Sequence, residues 1–229
     1  MKKCCPKCYS TRINYATTRP ECTVCGWVCD LADLLREPAI VNPPKLKYVS
    51  IDIETTGLDP ETCQILEFGA IIEDWKSPVA NLPRFRRVLK YDEIVGEPYG
   101  LSMNAELLKF IGSTPVGGDI LCHPNDLEES FTLWLLGNGF SLKNVQAAGK
   151  NFGTFDLQFL RRLFRTVTFN HRVIDPGLLY WRDEDAGLPS TKVCMERAEI
   201  EGKVAHTAVE DAEAVIKMIR YYWNNIGPI

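Results

Sequence analysis

The alternation of apolar and polar residues is clearest between Lys47 and Glu54, where it is typical of a β-strand with two different faces. One face carries Val49, Ile51 and Ile53, and the other carries Ser50, Asp52 and Glu54. From the rise of a strand, the Cα atoms of Asp52 and Glu54 are expected roughly 6.5–7 Å apart. Two carboxylates at this separation can converge on one cation, whereas on an isolated strand they would only mark the solvent side.

The pattern of the following chain predicts two more strands and then alternating helices and strands. A turn over Asp59–Thr62 would make the first two strands a hairpin. The further predicted elements are strands over Ile65–Trp75, Arg84–Tyr91, Val145–Lys150 and His171–Ile174, and helices over Met103–Ile111, Leu127–Leu136, Thr154–Phe164 and Thr191–Ile200. This order predicts an α/β domain with a mixed sheet.

The last helix is the most clearly periodic element of the chain. Thr207 and Glu210 have the spacing of a capping box, which predicts a helix that begins at Ala208. Asp211 lies one turn before an apolar residue of this helix and is therefore expected to face the core. His206 precedes the cap, and in a loop it is free to lie beside Asp211.

A further acid, Asp156, lies on the apolar stripe of the predicted helix Thr154–Phe164, in helical spacing with Phe159 and Leu160. An unpaired buried acid is costly, so a metal or another cation would have to compensate for it unless the helix end is open. The alternative is an acid at a helix N-terminus that is favoured only by the helix dipole.

Four carboxylates and one histidine, spread over the second part of the chain, form the inventory of a two-metal site that cleaves phosphodiesters. Their motifs together resemble the DEDDh branch of the 3′→5′ exonuclease superfamily, which includes polymerase proofreading subunits and oligoribonucleases. The motifs are Asp52-Ile53-Glu54-Thr55-Thr56-Gly57, Asn151-Phe152-Gly153-Thr154-Phe155-Asp156 and His206-Thr207-Ala208-Val209-Glu210-Asp211. The resemblance covers about Lys47 to Tyr222.

This resemblance implies a ribonuclease-H-like fold, a mixed β-sheet flanked by helices. It also implies a metal-dependent 3′→5′ exonuclease that removes nucleoside monophosphates from single-stranded DNA or RNA with two Mg²⁺ or Mn²⁺ ions. Asp52 would bridge both metals, Glu54 and Asp211 would complete the metal on the nucleophile side, and Asp156 would hold the second metal. His206 would accept a proton from the attacking water.

The turn after the first strand is the expected contact for the terminal nucleotide. By the same resemblance, Thr55, Thr56, Gly57 and Leu58 would bind this nucleotide, with Leu58 as a wedge against its base. The turn also offers backbone amides, which suit a neighbouring phosphate. Glu67 would line the same pocket.

Six of the nine cysteines fall within the first 29 residues. The regular C-x-x-C spacing favours one structural Zn²⁺ bound by four of them, Cys5, Cys8, Cys22 and Cys25. The module resembles a zinc ribbon, with a short hairpin between its two cysteine pairs. Cys4 and Cys29 are competing ligands, and a disulfide cluster or a redox pair is the alternative chemistry. The resulting organisation is a zinc-ribbon-like module (1–37), a proline-containing linker (38–46) and an exonuclease domain (47–229).

The charge distribution modifies this picture only slightly. Residues 1–47 carry 8 Lys+Arg and 4 Asp+Glu, a net charge of +4, and the remainder carries 18 and 26, a net charge of −8. A basic module before an acidic nuclease body is one interpretation of this difference, and an ordinary solvated surface fits as well. The partner that the resemblance implies is single-stranded nucleic acid with a free 3′ end. Arg161, Arg162 and Arg165 would hold substrate phosphates or, as the favoured interpretation, form a solvated helix face.

The chain has no candidate transmembrane segment and no apolar signal region, so a cytoplasmic location without membrane association is expected. The zinc ribbon would recruit nucleic acid or a protein, or only brace the fold. Two alternatives to a free-standing exonuclease remain. One is a zinc-ribbon adaptor that only binds nucleic acid, and the other is a proofreading subunit that docks on a polymerase.

Overall fold

A mixed sheet of five strands forms the centre of the described part of the chain. The computed structural model describes residues 13–14, 21–22, 45–114, 120–201 and 207–227. The strands are β1 (Ile13–Asn14), β2 (Glu21–Cys22), β3 (Tyr48–Thr55), β4 (Ile65–Glu73), β5 (Arg84–Leu89), β6 (Leu121–Cys122) and β7 (Ala147–Ala148). The helices are α1 (Pro98–Met103), α2 (Ala105–Ser113), α3 (Leu127–Gly137), α4 (Asp156–Leu163), α5 (Pro176–Leu179), α6 (Thr191–Arg197) and α7 (Ala208–Asn225), and single 3₁₀ turns lie at Val79–Asn81 and Pro124–Asp126.

The strand order across the sheet is β6-β5-β4-β3-β7. The three long strands β3, β4 and β5 pair antiparallel, whereas the short edge strands β6 and β7 pair parallel to their neighbours. The hairpin, the three strands and the mixed α/β sheet predicted from the pattern are therefore confirmed. The architecture is consistent with the expected ribonuclease-H-like fold.

Helices cover both faces of this sheet. The face of β3 with Val49, Ile51 and Ile53 packs on α3 and α4, and the opposite face packs on α6 and α7. Ser50, on the polar face, is fully buried, and its hydroxyl donates to the carbonyl oxygen of Ala212 in α7 at 2.8 Å. The polar side of β3 is therefore a second interior face, and only its carboxyl end carries acids.

One predicted helix, Met103–Ile111, is wrong in its extent, because the structure has two helices that meet at Asn104. The side-chain amide of Asn104 donates to the carbonyl oxygen of Thr55 at 3.0 Å and to that of Gly100 at 3.3 Å. These bonds end α1 and tie the junction to the end of β3. The pattern did not predict α1, because its six residues include no buried one.

The predicted strand His171–Ile174 is also wrong, since this stretch forms only one isolated bridge, from Ile174 to Ala148, and a second bridge joins Phe169, just before it, to Val145. Between these bridges the side chain of Asn170 accepts a hydrogen bond from the amide of Arg172 at 2.8 Å. Such a local turn competes with an extended ladder. The neighbouring predicted strand, Val145–Lys150, is correspondingly reduced to the two residues of β7.

The last helix begins at Ala208 as predicted, but the capping box is wrong. The Thr207 side chain makes no bond to the helix amides, and its hydroxyl donates instead to the carboxylate of Glu210 at 2.6 Å. The pair therefore holds the first turn by contact between side chains.

Strands β1 and β2 form a separate antiparallel pair with Ile13 opposite Cys22. Three predicted zinc ligands, Cys5, Cys8 and Cys25, lie outside the described residues, and only the backbone of Cys22 is described. The zinc ribbon and the predicted domain boundaries therefore stay predictions. Among the described helices, none has the length and apolar character needed to cross a membrane.

Candidate active site

Three of the predicted acids meet at the carboxyl end of β3. Asp52 and Glu54 come from the strand, and Asp211 comes from the first turn of α7. One carboxylate oxygen from each lies within 4.8 Å of the others. Oxygen atoms at these separations can bind one hard cation together.

A close contact between α7 and the sheet places Asp211 there. Gly69 on β4 lies opposite Asp52, and a Cβ atom at Gly69 would lie only 2.6 Å from the carbonyl oxygen of Ala208. The absence of a side chain therefore lets the first turn of α7 rest directly on the strand. The bond from Ser50 to Ala212 fixes the following turn.

The fourth acid, Asp156, lies at the start of α4 and is 3% exposed. It faces the sheet as expected, and its Oδ1 accepts a hydrogen bond from the amide of Ile53 at 3.2 Å. Its charge raises the pKa of Asp52. Asp156 therefore flanks the cluster of three, on the side of the strand away from β4.

The four carboxyl groups repel one another. Burial, followed by the charges of Asp156, Asp211 and Glu54, raises the pKa of Asp52 well above its usual value. Burial also raises the pKa of Glu54, Asp156 and Asp211 to about 7 each, with further contributions from neighbouring acids. Among the described residues, no Lys or Arg forms an ion pair with any of the four.

One oxygen of this cluster has no partner among the described residues. Asp211 Oδ1 is buried and accepts no hydrogen bond from any of them. A buried acceptor without a partner is costly, and a hard cation would satisfy it as well as offset the repulsion. The donor set, made only of carboxylate oxygens, fits Mg²⁺ or Mn²⁺ better than a soft metal.

Glu67 is buried beside the cluster but is not part of it. It is 1% exposed and lies opposite Glu54 on β4. Arg86 on β5 donates to both of its oxygens, from Nε at 2.8 Å and from Nη2 at 3.2 Å. This pair gives Glu67 a cation of its own, while the Glu67 charge still raises the pKa of Glu54 and Asp211. The sequence offered no signal for Arg86, because the contact depends on strand register.

The turn after β3 is held by many bonds of its own. The Thr55 hydroxyl donates to the carbonyl oxygen of Gly57 at 2.7 Å, and the amide of Thr56 donates to Gln64 at 2.9 Å. The amide of Leu58 donates to a carboxylate oxygen of Glu97 at 3.2 Å. The amides of Thr56 and Leu58 are therefore already bonded within the protein, and the contact of this turn with the terminal nucleotide stays a prediction.

The segment before and within α1 packs tightly on this turn. A Cβ atom at Gly100 would lie 2.7 Å from the amide nitrogen of Gly57, so only a glycine allows this approach. The Leu58 side chain remains 73% exposed at the surface of the turn. Asn104, which the sequence analysis did not single out, lowers the pKa of Glu54 and thereby partly opposes the effect of burial.

The predicted proton acceptor His206 lies outside the described residues, which resume at Thr207. The structure thus brings together Asp52, Glu54 and Asp211, and it places Asp156 beside them. The position of His206 relative to these acids stays a prediction.

Solved structures share this fold. The chain is similar to cell-death related nuclease 4, with a TM-score of 0.57 and 13% identity over 78% of this chain and 64% of that one. It is also similar to a zinc-bound complex of E. coli Exonuclease I with single-stranded DNA, with a TM-score of 0.56 and 16% identity over 80% and 41% of the two chains. For Exonuclease I from Methylocaldum szegediense, the TM-score is 0.53 and the identity is 19%, over 79% of this chain and 41% of that one.

The chain therefore spans less than two thirds of each of these nucleases, and at these identities the likeness concerns the fold alone. No protein-family model matches the chain, and no curated protein matches it.

Proposed function

We propose that this chain is a metal-dependent 3′→5′ exonuclease that hydrolyses single-stranded nucleic acid. The observation that carries the proposal is the convergence of Asp52, Glu54 and Asp211, with oxygens within 4.8 Å of one another and no cationic partner among the described residues. The fold shared with nucleases, among them Exonuclease I bound to single-stranded oligonucleotides, supports the same reaction class.

Asp52, Glu54 and Asp211 would hold one divalent ion, and Asp156 together with Asp52 would hold a second. When bound, these ions would lower the pKa of an attacking water and stabilise the leaving 3′ oxygen. His206 would accept the proton of that water. Leu58, exposed at the end of the turn, would separate the terminal base from its neighbour, so that one nucleotide is presented at a time.

The acids also determine how activity should depend on pH. Since the pKa of Glu54, Asp156 and Asp211 is raised to about 7 without metal, protons compete with the metal below that pH. Metal binding and hydrolysis are therefore expected to strengthen as the pH rises from 6 to 8.

The test uses DNA and RNA oligonucleotides labelled at the 3′ or the 5′ end, incubated with Mg²⁺, Mn²⁺ or EDTA. The expected result is a metal-dependent ladder that shortens from the 3′ end, reduced to background in Asp52→Asn. Glu129→Gln, which removes an exposed acid from α3, is the matched control and should behave as the wild type.

Retained binding without cleavage of any oligonucleotide would contradict the proposal and favour a zinc-ribbon adaptor that only binds nucleic acid. If the protein co-purifies with a polymerase and cleaves only in its presence, a proofreading subunit is favoured. The labelled DNA and RNA substrates also determine the preferred sugar.

A further inference from the structure

A second feature lies next to the candidate active site, on the other side of the turn that follows β3. It is a cleft of about 350 Å³ between residues 60–65 and helix α4. Its apolar walls include Ile65, Tyr91, Phe159 and Leu163, and Glu61 and Arg162 lie at its rim. A volume at the lower end of the range of ligand sites suits one nucleotide rather than a longer segment.

The cleft is continuous with the turn proposed to bind the terminal nucleotide. Gln64 and Val95, which line the cleft, both bond to Thr56, because the Gln64 amide donates to its hydroxyl oxygen at 2.8 Å and the hydroxyl donates to the Val95 carbonyl at 2.7 Å. The Gln64 side chain accepts from the amide of Val95 at 2.9 Å. One wall therefore serves both the turn and the cleft.

Helix α4 gives the distance between the two places. Phe159 and Arg162 follow Asp156 by three and six residues, so Arg162 lies about 9 Å further along the helix axis. A stacked single strand advances about 3.4 Å per nucleotide. The rim of the cleft is thus about two to three nucleotides from Asp156, which one continuous strand can span.

The rim offers one cation that is available for exchange. Arg162 Nη1 lies 2.5 Å from Glu61 Oε2, and the two side chains are 44% and 77% exposed. An ion pair this exposed adds little stability, so a phosphate can replace the Glu61 carboxylate. Asp59 also lies near Arg162, but its oxygens already accept bonds from the Glu61 amide and the Thr62 hydroxyl.

We propose that this cleft binds a nucleotide of the single-stranded substrate on the 5′ side of the scissile bond, with its base against Tyr91 and Leu163 and its phosphate on Arg162. The inference rests on the proposed function for the direction of the strand. Glu61 occupies Arg162 when no strand is bound, and it therefore competes with the phosphate.

Because Glu61 and the phosphate compete for Arg162, substitutions of Glu61 and Arg162 are expected to change oligonucleotide binding in opposite directions. Loss of a merely structural ion pair would change binding in the same direction from either side. Arg162→Gln is expected to weaken binding of a single-stranded pentanucleotide by about threefold to tenfold and to reduce the slope of log affinity against log salt by about 1. Glu61→Gln is expected to strengthen it. Neither variant should change binding of a dinucleotide, which is too short to reach the cleft.

The experiment measures fluorescence anisotropy of labelled oligonucleotides in EDTA, so that binding is read without cleavage. Arg165→Gln is the matched control, since it removes an exposed cation beyond the end of α4 whose Nη1 donates to the Arg161 carbonyl. Thermal unfolding of each variant shows whether it is folded.

Equal losses in Arg162→Gln and Glu61→Gln, or an equal loss in Arg165→Gln, would overturn the proposal. If the two variants show these opposite effects on binding but the wild-type protein does not cleave in Mn²⁺, the proposed nucleotide site in the cleft is supported and the proposed exonuclease activity is contradicted. If the wild-type protein cleaves but Arg162→Gln binds oligonucleotides of every length as the wild type does, the exonuclease activity is supported and the nucleotide site in the cleft is contradicted.

Discussion

The unpartnered oxygen of Asp211 shows at the scale of one residue what the site requires. The carboxyl group is held against Asp52 and Glu54 by its place in α7, and its buried Oδ1 accepts no hydrogen bond from the described residues. Burial and the charges of Glu210 and Glu67 raise its pKa to about 7. Since no described residue neutralises this carboxylate, a cation from solution would stabilise its negative charge.

Asp211→Asn is therefore expected to stabilise the metal-free protein at pH 8 while it weakens Mn²⁺ binding. Removing one charge from the cluster should raise the free energy of unfolding by about 1–2 kcal/mol after solvent screening. Each kcal/mol corresponds to a rise of about 2–4 °C in Tm for a chain of this size. At pH 5 the wild-type carboxyl group is already protonated, so the two proteins should unfold alike. Thermal unfolding in EDTA at both pH values measures this, and a lower Tm of the variant at pH 8 would contradict it.

The acids that meet at the site could be read from the sequence, because each belongs to a short motif on a clearly patterned element. Arg86, Gly69 and Asn104 could not be read in this way. Each acts through a partner far away in the chain, on a neighbouring strand, on α7 or at the end of β3. Register and helix docking create these contacts, and local patterns contain no information about them.

At the scale of elements, the approach of α7 to β4 at Gly69 determines where Asp211 lies. The atoms that a Cβ at Gly69 would meet belong to the backbone of Ala208 and Val209, so the helix cannot yield by a side-chain rotation. Sheet and helix have to separate if any side chain is added.

Gly69→Ala is accordingly expected to destabilise the protein by about 1–3 kcal/mol through overpacking. It should lower nuclease activity even at temperatures where the variant is fully folded, because Asp211 moves away from Asp52. Urea unfolding and the cleavage assay at 15 °C measure the two effects.

The matched control is Gly112→Ala in α2, where an added Cβ meets nothing within 4 Å. This change should stabilise the protein by about 0.5–1 kcal/mol, since glycine is unfavourable inside a helix. Full activity in Gly69→Ala would show that the close approach does not position Asp211.

The elements that could be predicted are those whose own sequence contains the full pattern, such as β3, β4, α3 and α7. The pattern failed at α1 and at the stretch after Asn170, where single side-chain hydrogen bonds decide the backbone. It failed in the same way at Thr207, whose hydroxyl binds Glu210 instead of the helix amides.

At the scale of the whole molecule, folding gathers four acids from three distant parts of the chain. Their pKa in the unfolded chain is about 4, whereas burial raises it to about 7 for Glu54, Asp156 and Asp211. The folded state therefore binds more protons than the unfolded state between these values, so stability falls as the pH rises through this range.

The metal-free protein is thus expected to be most stable near pH 5 and to lose stability steadily towards pH 8. Adding Mg²⁺ or Mn²⁺ should restore stability strongly at pH 8 and weakly at pH 5, where protons already neutralise the acids. Asp185, whose pKa is lowered to about 2 by Arg197, titrates below this range and does not oppose the trend. Urea midpoints measured from pH 5 to 8, with EDTA and with Mn²⁺, test this, and a midpoint in EDTA that rises with pH would contradict it.

The distance along the chain between Asp52 and Asp211, about 160 positions, has a consequence for biosynthesis. As the polypeptide leaves a ribosome, the three long strands and α4 emerge well before α7. Until α7 has emerged and settled on Gly69, the nascent protein has no complete cluster of acids. If the proposed function holds, the protein cannot attack nucleic acid near its own translation complex before α7 has been made, and it gains this reactivity only as α7 folds.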